Sequence, residues 1–146
     1  MNWNIKTFNE LTTTELYHLL HLRSEIFVVE QRCVYQDIDY ADQQAYHLMG
    51  TDEAGNLLAY TRIFAPGIKY AEASIGRVIT SPKARGKGVG RELMECSIAQ
   101  LERLFGKVPI KISAQQYLQR FYVSLGFQPV SDMYLEDGIP HIDMIK

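Results

Sequence analysis

The chain has 146 residues, the span of one domain at roughly 100–200 residues each, with 47% hydrophobic and 22% charged residues. Those are globular proportions and exclude a disordered chain. The net charge of −2 lacks the basic footprint of a nucleic-acid binder. No apolar run approaches the roughly 18 residues that span a bilayer, and Met1-Asn2-Trp3-Asn4-Ile5-Lys6 lacks the basic-then-apolar order of a signal peptide. One domain over residues 1–146 is expected, cytoplasmic, with neither a nucleic acid nor a membrane as partner. Cys33 and Cys96 fit no CxxC or zinc spacing, so reduced thiols and no metal site are expected.

Trp3 to Phe8 reads as a first strand. Thr12 and Glu15 fit a capping box, and Leu16, Leu19, Leu20, Arg23, Ile26, Phe27 and Glu30 recur at helical intervals, predicting a helix over 13–31. Arg32 to Ala45 is a polar loop carrying Asp37, Asp39 and Asp42, long enough to be functional. Tyr46–Thr51 and Leu57–Phe64 flank a turn-rich Asp52–Asn56 and predict a hairpin. Ala73–Thr80 reads as another strand, and Leu93, Met94, Ile98, Leu101, Leu104 and Phe105 mark a helix over 88–105. A short strand over 108–113, a short helix over 115–125 stopped by Gly126, and strands over 129–134 and 141–145 around Glu136-Asp137-Gly138 complete the chain. Strands and helices alternate so as to form one mixed sheet with helices on both sides.

The most informative segment is Ser81-Pro82-Lys83-Ala84-Arg85-Gly86-Lys87-Gly88-Val89-Gly90-Arg91. It joins a strand to a helix, whose free N–H groups and macrodipole favour an anion. Glycine backbone approaches a phosphate closely and accepts positive φ, and Arg85, Lys87 and Arg91 add charge for a pyrophosphate. The competing reading is a simple turn with solvated basic residues. A Walker A loop is absent, and Gly86, Gly88 and Gly90 form GxGxG rather than the dinucleotide GxGxxG.

Arg85-x-x-Gly88-x-Gly90 resembles the coenzyme A pyrophosphate loop of the GNAT acetyltransferases, and the preceding Ile75–Pro82 looks like their fourth strand. Downstream, Phe121-Tyr122-x-x-x-Gly126-Phe127 is similar to their YxxxGF segment, in the same order and spacing. Leu22-Arg23-x-x-Ile26-Phe27-Val28-Val29-Glu30-Gln31, Tyr35-Gln36-Asp37-Ile38-Asp39 and Glu136–Ile142 look like the ElaA-like branch, so the resemblance covers nearly the whole chain. Gln115 and Leu118 depart from the family's usual Asn and Ala before the tyrosine, and Val34 stands where this branch has Pro.

The resemblance implies an α/β (α+β) acyl-CoA N-acyltransferase-like fold, a mixed central sheet flanked by helices. It implies acetyl-CoA as co-substrate, no metal, and a small-molecule or protein or peptide amine as acceptor, attacking directly in a ternary complex; a homodimer is compatible with it. The edge of Val78, Ile79 and Thr80 would pair with the pantetheine arm, one N–H of Val78 or Ile79 serving the oxyanion. The pyrophosphate would rest on Arg85, Gly86, Lys87, Gly88, Val89 and Gly90, with Gln115 as a polar contact.

Tyr122 is the candidate general acid, because a phenol of pKa about 10 stays protonated and can donate to a thiolate of pKa about 8.5. The alternative is a core tyrosine on the Leu118–Phe121–Leu125 face. Glu30 and His141 are the candidate bases, with His47, Asp37 and Asp39 behind them. Arg62 and Arg77 lie inside apolar strands and require carboxylate partners or a pocket; Glu30, Asp37 and Asp39 are available, and Arg23 is placed to pair with Glu30. The acidic 36–44 loop would suit a cationic acceptor. Two other functions fit the same motifs: a non-catalytic acyl-CoA sensor, and transfer of a longer acyl chain as in homoserine-lactone synthases.

Overall fold

Thr12 closes the first helix as the capping box predicts. Its hydroxyl accepts from the Glu15 N–H at 3.1 Å, while the Glu15 carboxylate accepts from the Thr12 N–H at 2.8 Å. A computed structural model describes all of residues 1–146. In chain order the elements are β1 (Asn2–Thr7), α1 (Thr13–Arg23), β2 (Tyr46–Thr51), β3 (Leu57–Phe64), β4 (Ala73–Thr80), α2 (Val89–Phe105), β5 (Ile110–Gln115), α3 (Gln119–Ser124), β6 (Gln128–Pro129), β7 (Tyr134–Glu136) and β8 (Ile139–Ile145). They build one mixed sheet in the order β1-β2-β3-β4-β5-β8-β6, with β7 also on β8. Only β4 and β5 run parallel.

Helices cover both faces. Leu93, Met94 and Leu101 of α2 pack with Leu48, Ala59, Ile63, Ile75, Ile110, Ile112 and Ala114 of the strands. Leu19, Leu22 and Ile26, from α1 and its extension, pack on Met49, Tyr60 and Ile79 of the opposite face. Ile75 and Ile79 are an even number of residues apart, yet they face different helices. The cause is a β-bulge: Tyr60 pairs with Ile79 and Arg62 with Gly76, so Arg77 and Val78 both stand opposite Thr61. The extra residue reverses the alternation of β4. Arg77 occupies left-handed backbone there, φ 48°, a conformation that costs on the order of 1–3 kcal/mol and persists only where its surroundings enforce it.

Three expectations are corrected. The first helix continues past Arg23 as a π-helix over Ser24–Glu30, the N–H groups of Gln31 and Cys33 reaching back five residues to Ile26 and Val28. The short helix begins only at Gln119, because Gln115 ends β5 and Gln116–Leu118 form a 3-10 turn. The strand over 129–134 is interrupted, since Ser131 turns its hydroxyl to the Asp143 N–H at 2.9 Å. A side chain there replaces a ladder partner, and pairing to β8 resumes at Tyr134.

The polar loop between α1 and β2 is held by charge. Arg23, fully buried, binds Asp37 Oδ2 through Nε at 3.0 Å and Asp42 Oδ1 through Nη1 at 2.6 Å. Arg62, 1% exposed, grips Asp39 with two bonds of 2.8 Å and reaches Asp42 at 2.9 Å. Arg77 Nε lies 2.9 Å from Asp37 Oδ1, and its Nη2 donates to the Asp37 carbonyl at 3.1 Å. The pairing of Arg23 with Glu30 is therefore corrected: Arg23 points inward to two aspartates, and Glu30 pairs elsewhere. Arg62 and Arg77 have the partners their burial demands, Asp42 being the one that the sequence reading did not name for them.

Burial opposes ionisation of Asp39 and Asp42, but hydrogen bonds and charge outweigh it, from Arg62 for Asp39 and from Arg23 then Arg62 for Asp42. Both carboxyls titrate below the usual aspartate range. Their contribution to stability is complete above the unfolded-state aspartate pKa and is lost as pH falls through the lower folded-state values. Stability should decline as pH drops below about 4. Asp42→Ala takes one carboxylate partner from each of two buried guanidinium groups, leaving Arg23 with Asp37 and Arg62 with Asp39, and should cost about 3–5 kcal/mol in urea unfolding at pH 7. It should also flatten the acid decline, which the same titration repeated from pH 6 to pH 2 measures.

Candidate active site

β4 and β5 pair only at Ala73–Ile110 and Ser74–Lys111 and then diverge. The wedge between them opens into a cavity of about 900 Å³, large enough to take most of an extended ligand. Beyond Ser74 no strand lies beside β4 on this side, so its outward backbone groups are left to the cavity or a ligand. Val78, Ile79 and Thr80 line this wall, and Gln115 lines the other.

The glycine loop lies at one mouth. Ser81 caps a 3-10 turn, its hydroxyl accepting from the Lys83 N–H at 3.3 Å, with Pro82 at the first position. Gly86 and Gly88 have φ of 78° and 74°, which explains glycine at both. Gly90 is different. Its φ is unexceptional, and a Cβ there would meet no atom of the chain within 4 Å. Nothing inside the protein requires glycine at 90, whereas a phosphate seated on the start of α2 would. The loop therefore fits a pyrophosphate on an observation of its own geometry. Arg85 and Gly90 line the cavity, while Gly86, Lys87 and Gly88 lie outside it and Val89 turns its side chain into the core.

Two of the loop's cations are already engaged. Arg85 forms a two-pronged bridge to Glu30, Nη2–Oε1 at 2.7 Å and Nη1–Oε2 at 3.1 Å. Arg91 pairs with Glu95 at 3.0 Å and donates to the Ser124 hydroxyl at 2.9 Å. Lys87 makes no ion pair. Glu30 thus stands at the cavity mouth, joining the end of the first helix to the glycine loop.

Tyr122 stands between core and cavity. It belongs to the α2-side core, edge-on to Phe121 at 5.2 Å and to Phe127 at 6.0 Å, and it also lines the cavity. Burial pushes its phenol above the ordinary tyrosine value, keeping the proton on oxygen. His141 lines the cavity from β8, stacked on Tyr134 at 6.1 Å. Its Nδ1 lies 2.7 Å from the Ile139 carbonyl, which can only accept, so Nδ1 carries a proton. In the neutral ring Nε2 then holds the lone pair, 3.4 Å from Glu136.

The other candidate bases are removed. His47 is fully buried outside the cavity, with Nδ1 2.6 Å from the Tyr60 hydroxyl and Nε2 2.9 Å from the Asp42 carbonyl. Burial lowers its pKa. Asp37 and Asp39 are spent on arginines. The acidic loop consequently offers little free charge to a cationic acceptor, and that expectation is withdrawn. One group on the cavity wall escaped the sequence reading: Ser113 bonds to the Tyr134 hydroxyl, which bonds to Asp143. The alternation of β5 could have marked Ser113 as facing away from α2, but no local signal showed that Tyr134 and Asp143 of the closing strands would pack beside it. No cluster of three or more His, Cys, Asp or Glu is arranged to hold a metal, and no helix is long and apolar enough to cross a membrane.

A sheet parted between parallel strands, with a glycine-rich turn into a helix beside the opening, defines an acyl-CoA N-acyltransferase fold. The family model described as an acetyltransferase (GNAT) domain matches residues 16–146. The solved structure of an acyl-CoA N-acyltransferase from Pseudomonas aeruginosa superposes with a TM-score of 0.95 at 46% identity, covering 99% of this chain and 98% of that one. Escherichia coli ElaA superposes at 0.92 with 41% identity over 99% and 98%. In sequence, the ElaA protein of strain K12 is 42% identical over 150 residues, 100% of this chain and 96% of that protein. The chain belongs to the GNAT acetyltransferases, in their ElaA-like branch. Acyl-CoA is that family's co-substrate and amines are its acceptors.

Gly90→Val should separate binding from folding. With coenzyme A at 100 times its Kd, the parent protein should gain about 2.7 kcal/mol, read as a rise in Tm. The variant should melt near the parent's ligand-free temperature and lose that rise.

Proposed function

We propose that the protein transfers an acetyl group from acetyl-CoA to a primary amine, by direct attack within a ternary complex. The observation that carries the reading is that the parted sheet is reached by different chemistry from its two faces. Tyr122, a protonated phenol, approaches from the α2 face, and the His141 imidazole, with its Nε2 beside the Glu136 carboxylate, approaches from the other.

Acetyl-CoA supplies a thioester carbonyl as electrophile. The N–H groups from Arg85 to Gly90 hold its pyrophosphate, and the free edge of Val78, Ile79 and Thr80 receives the pantetheine arm as an added strand would. A backbone N–H of Val78 or Ile79, next to the bulge, stabilises the oxyanion; such a donor is worth roughly 10²–10³ in rate. Gln115, at the end of β5, adds a polar contact. His141 takes the proton from the attacking nitrogen, and Tyr122 gives one to the departing sulfur. Glu30 keeps Arg85 beside the cavity, and an incoming pyrophosphate competes with its carboxylate for that guanidinium.

The test is thiol release from acetyl-CoA across a panel of amines. Release should require an amine. Tyr122→Phe should lower kcat by roughly 10²–10⁴ while the rise in Tm with coenzyme A is retained, and His141→Gln should do the same. Coenzyme A binding with no turnover on any amine would favour a sensor, and faster turnover with octanoyl- than acetyl-CoA would favour long-chain transfer.

A further inference from the structure

Ser113, Tyr134 and Asp143 form a hydrogen-bonded line from the cavity wall toward the sheet edge, and the direction of each bond follows from what each group can do. A carboxylate only accepts, so the Tyr134 hydroxyl donates to Asp143 Oδ1, at 2.7 Å. A phenol has a single proton. Its oxygen must therefore accept in the contact with Ser113, whose own proton is committed to Tyr134. Ser113 is left presenting lone pairs alone to the cavity it lines. A free serine rotates to donate or accept; this one is locked as an acceptor.

Its position matches a need on the acceptor side. Ile110, Ile112 and Ala114 of β5 face the α2 core, so Ser113 projects from the opposite face, the face that also carries His141, partner of Gln115 in the β5–β8 ladder. That face offers one ligand the Ser113 Oγ lone pairs beside His141 Nε2 and the Glu136 carboxylate 3.4 Å from it. A neutral primary amine has two N–H groups and one lone pair for attack, and a secondary amine has one N–H. We propose that Ser113 is a specificity-determining contact: it accepts the second N–H of the attacking amine and so selects primary over secondary amines. Tyr134 and Asp143 act as positioning residues that lock its polarity. The inference rests on the amine-transfer reading above.

The experiment measures kcat/KM for acetyl-CoA-dependent turnover of primary alkylamines, diamines and lysine peptides, each beside its N-methyl secondary counterpart. Ser113→Ala should lower the primary-amine value about 3–10-fold, the worth of one neutral hydrogen bond, and leave the secondary-amine value nearly unchanged. Tyr134→Phe, which keeps the ring against His141, should shrink the ratio in the same direction, and Ser113→Thr should restore it. The rise in Tm with coenzyme A, unchanged in every variant, reports an intact fold and cofactor site. Equal losses on both amines, or an unaltered ratio, overturn the selection by Ser113. Wild-type protein that acetylates no amine overturns the amine-transfer reading itself, a failure visible before any variant is made.

Discussion

Three arginines and three aspartates, four of them buried, tie α1, the loop after it, β3 and β4 into one piece. Arg23 comes from the helix, Arg62 and Arg77 from neighbouring strands, and Asp37, Asp39 and Asp42 from a loop with little regular structure. Such a network is a weak source of net stability, because desolvating six charges offsets most of their attraction. Its value is positional. Arg77 sits at the bulge in a backbone conformation that is unfavourable for any residue with a side chain, and its contacts with the side chain and carbonyl of Asp37 are what the loop contributes to holding it there.

The bulge in turn shapes the cavity. By reversing the alternation of β4, it allows Ile75 to serve the α2 core and Ile79 the α1 core. Beyond this point the strand no longer needs a partner on the β5 side to bury its apolar residues. Its free edge is then available as a template for an extended ligand, an exposure that proteins otherwise avoid. The network, the bulge and the parted sheet form one mechanical chain, running from a polar loop to the free edge that lines the cavity.

The bounds of β2, β3 and β4 were legible because period-two patterns between turn residues encode both ends of such strands. The capping box was legible because it lies within four residues. Charge pairing was half legible: apolar surroundings announced that Arg62 and Arg77 must have partners, but their choice depends on how the 32–45 loop folds back. Arg23 looked like a helix-surface partner for Glu30, because helical spacing says nothing about which loop will close over a side chain. The π-helix had no signal, since Ile26, Phe27 and Glu30 suit either winding. The split last strand depends on the Ser131 hydroxyl competing for one backbone N–H. Of the cavity-lining residues, Arg85, Gly90 and Tyr122 were legible as members of compact motifs. The line from Ser113 to Asp143 was not, being assembled across β5, β7 and β8 with no spacing to betray it.

Charge follows the same logic. The basic loop at 83–91 and the acidic loop at 36–42 look in sequence like two poles, one for a phosphate and one for a cationic acceptor. In the fold the acidic pole is cancelled from within by arginines of the scaffold, and part of the basic pole is cancelled by Glu30 and Glu95. What remains at the cavity is in large part directional: a phenol proton on one face, and on the other the Ser113 hydroxyl and the His141 imidazole with the Glu136 carboxylate 3.4 Å from it. Under the proposed selection by Ser113, such a site discriminates by counting hydrogen-bond donors on a neutral nitrogen, the form in which an amine can attack.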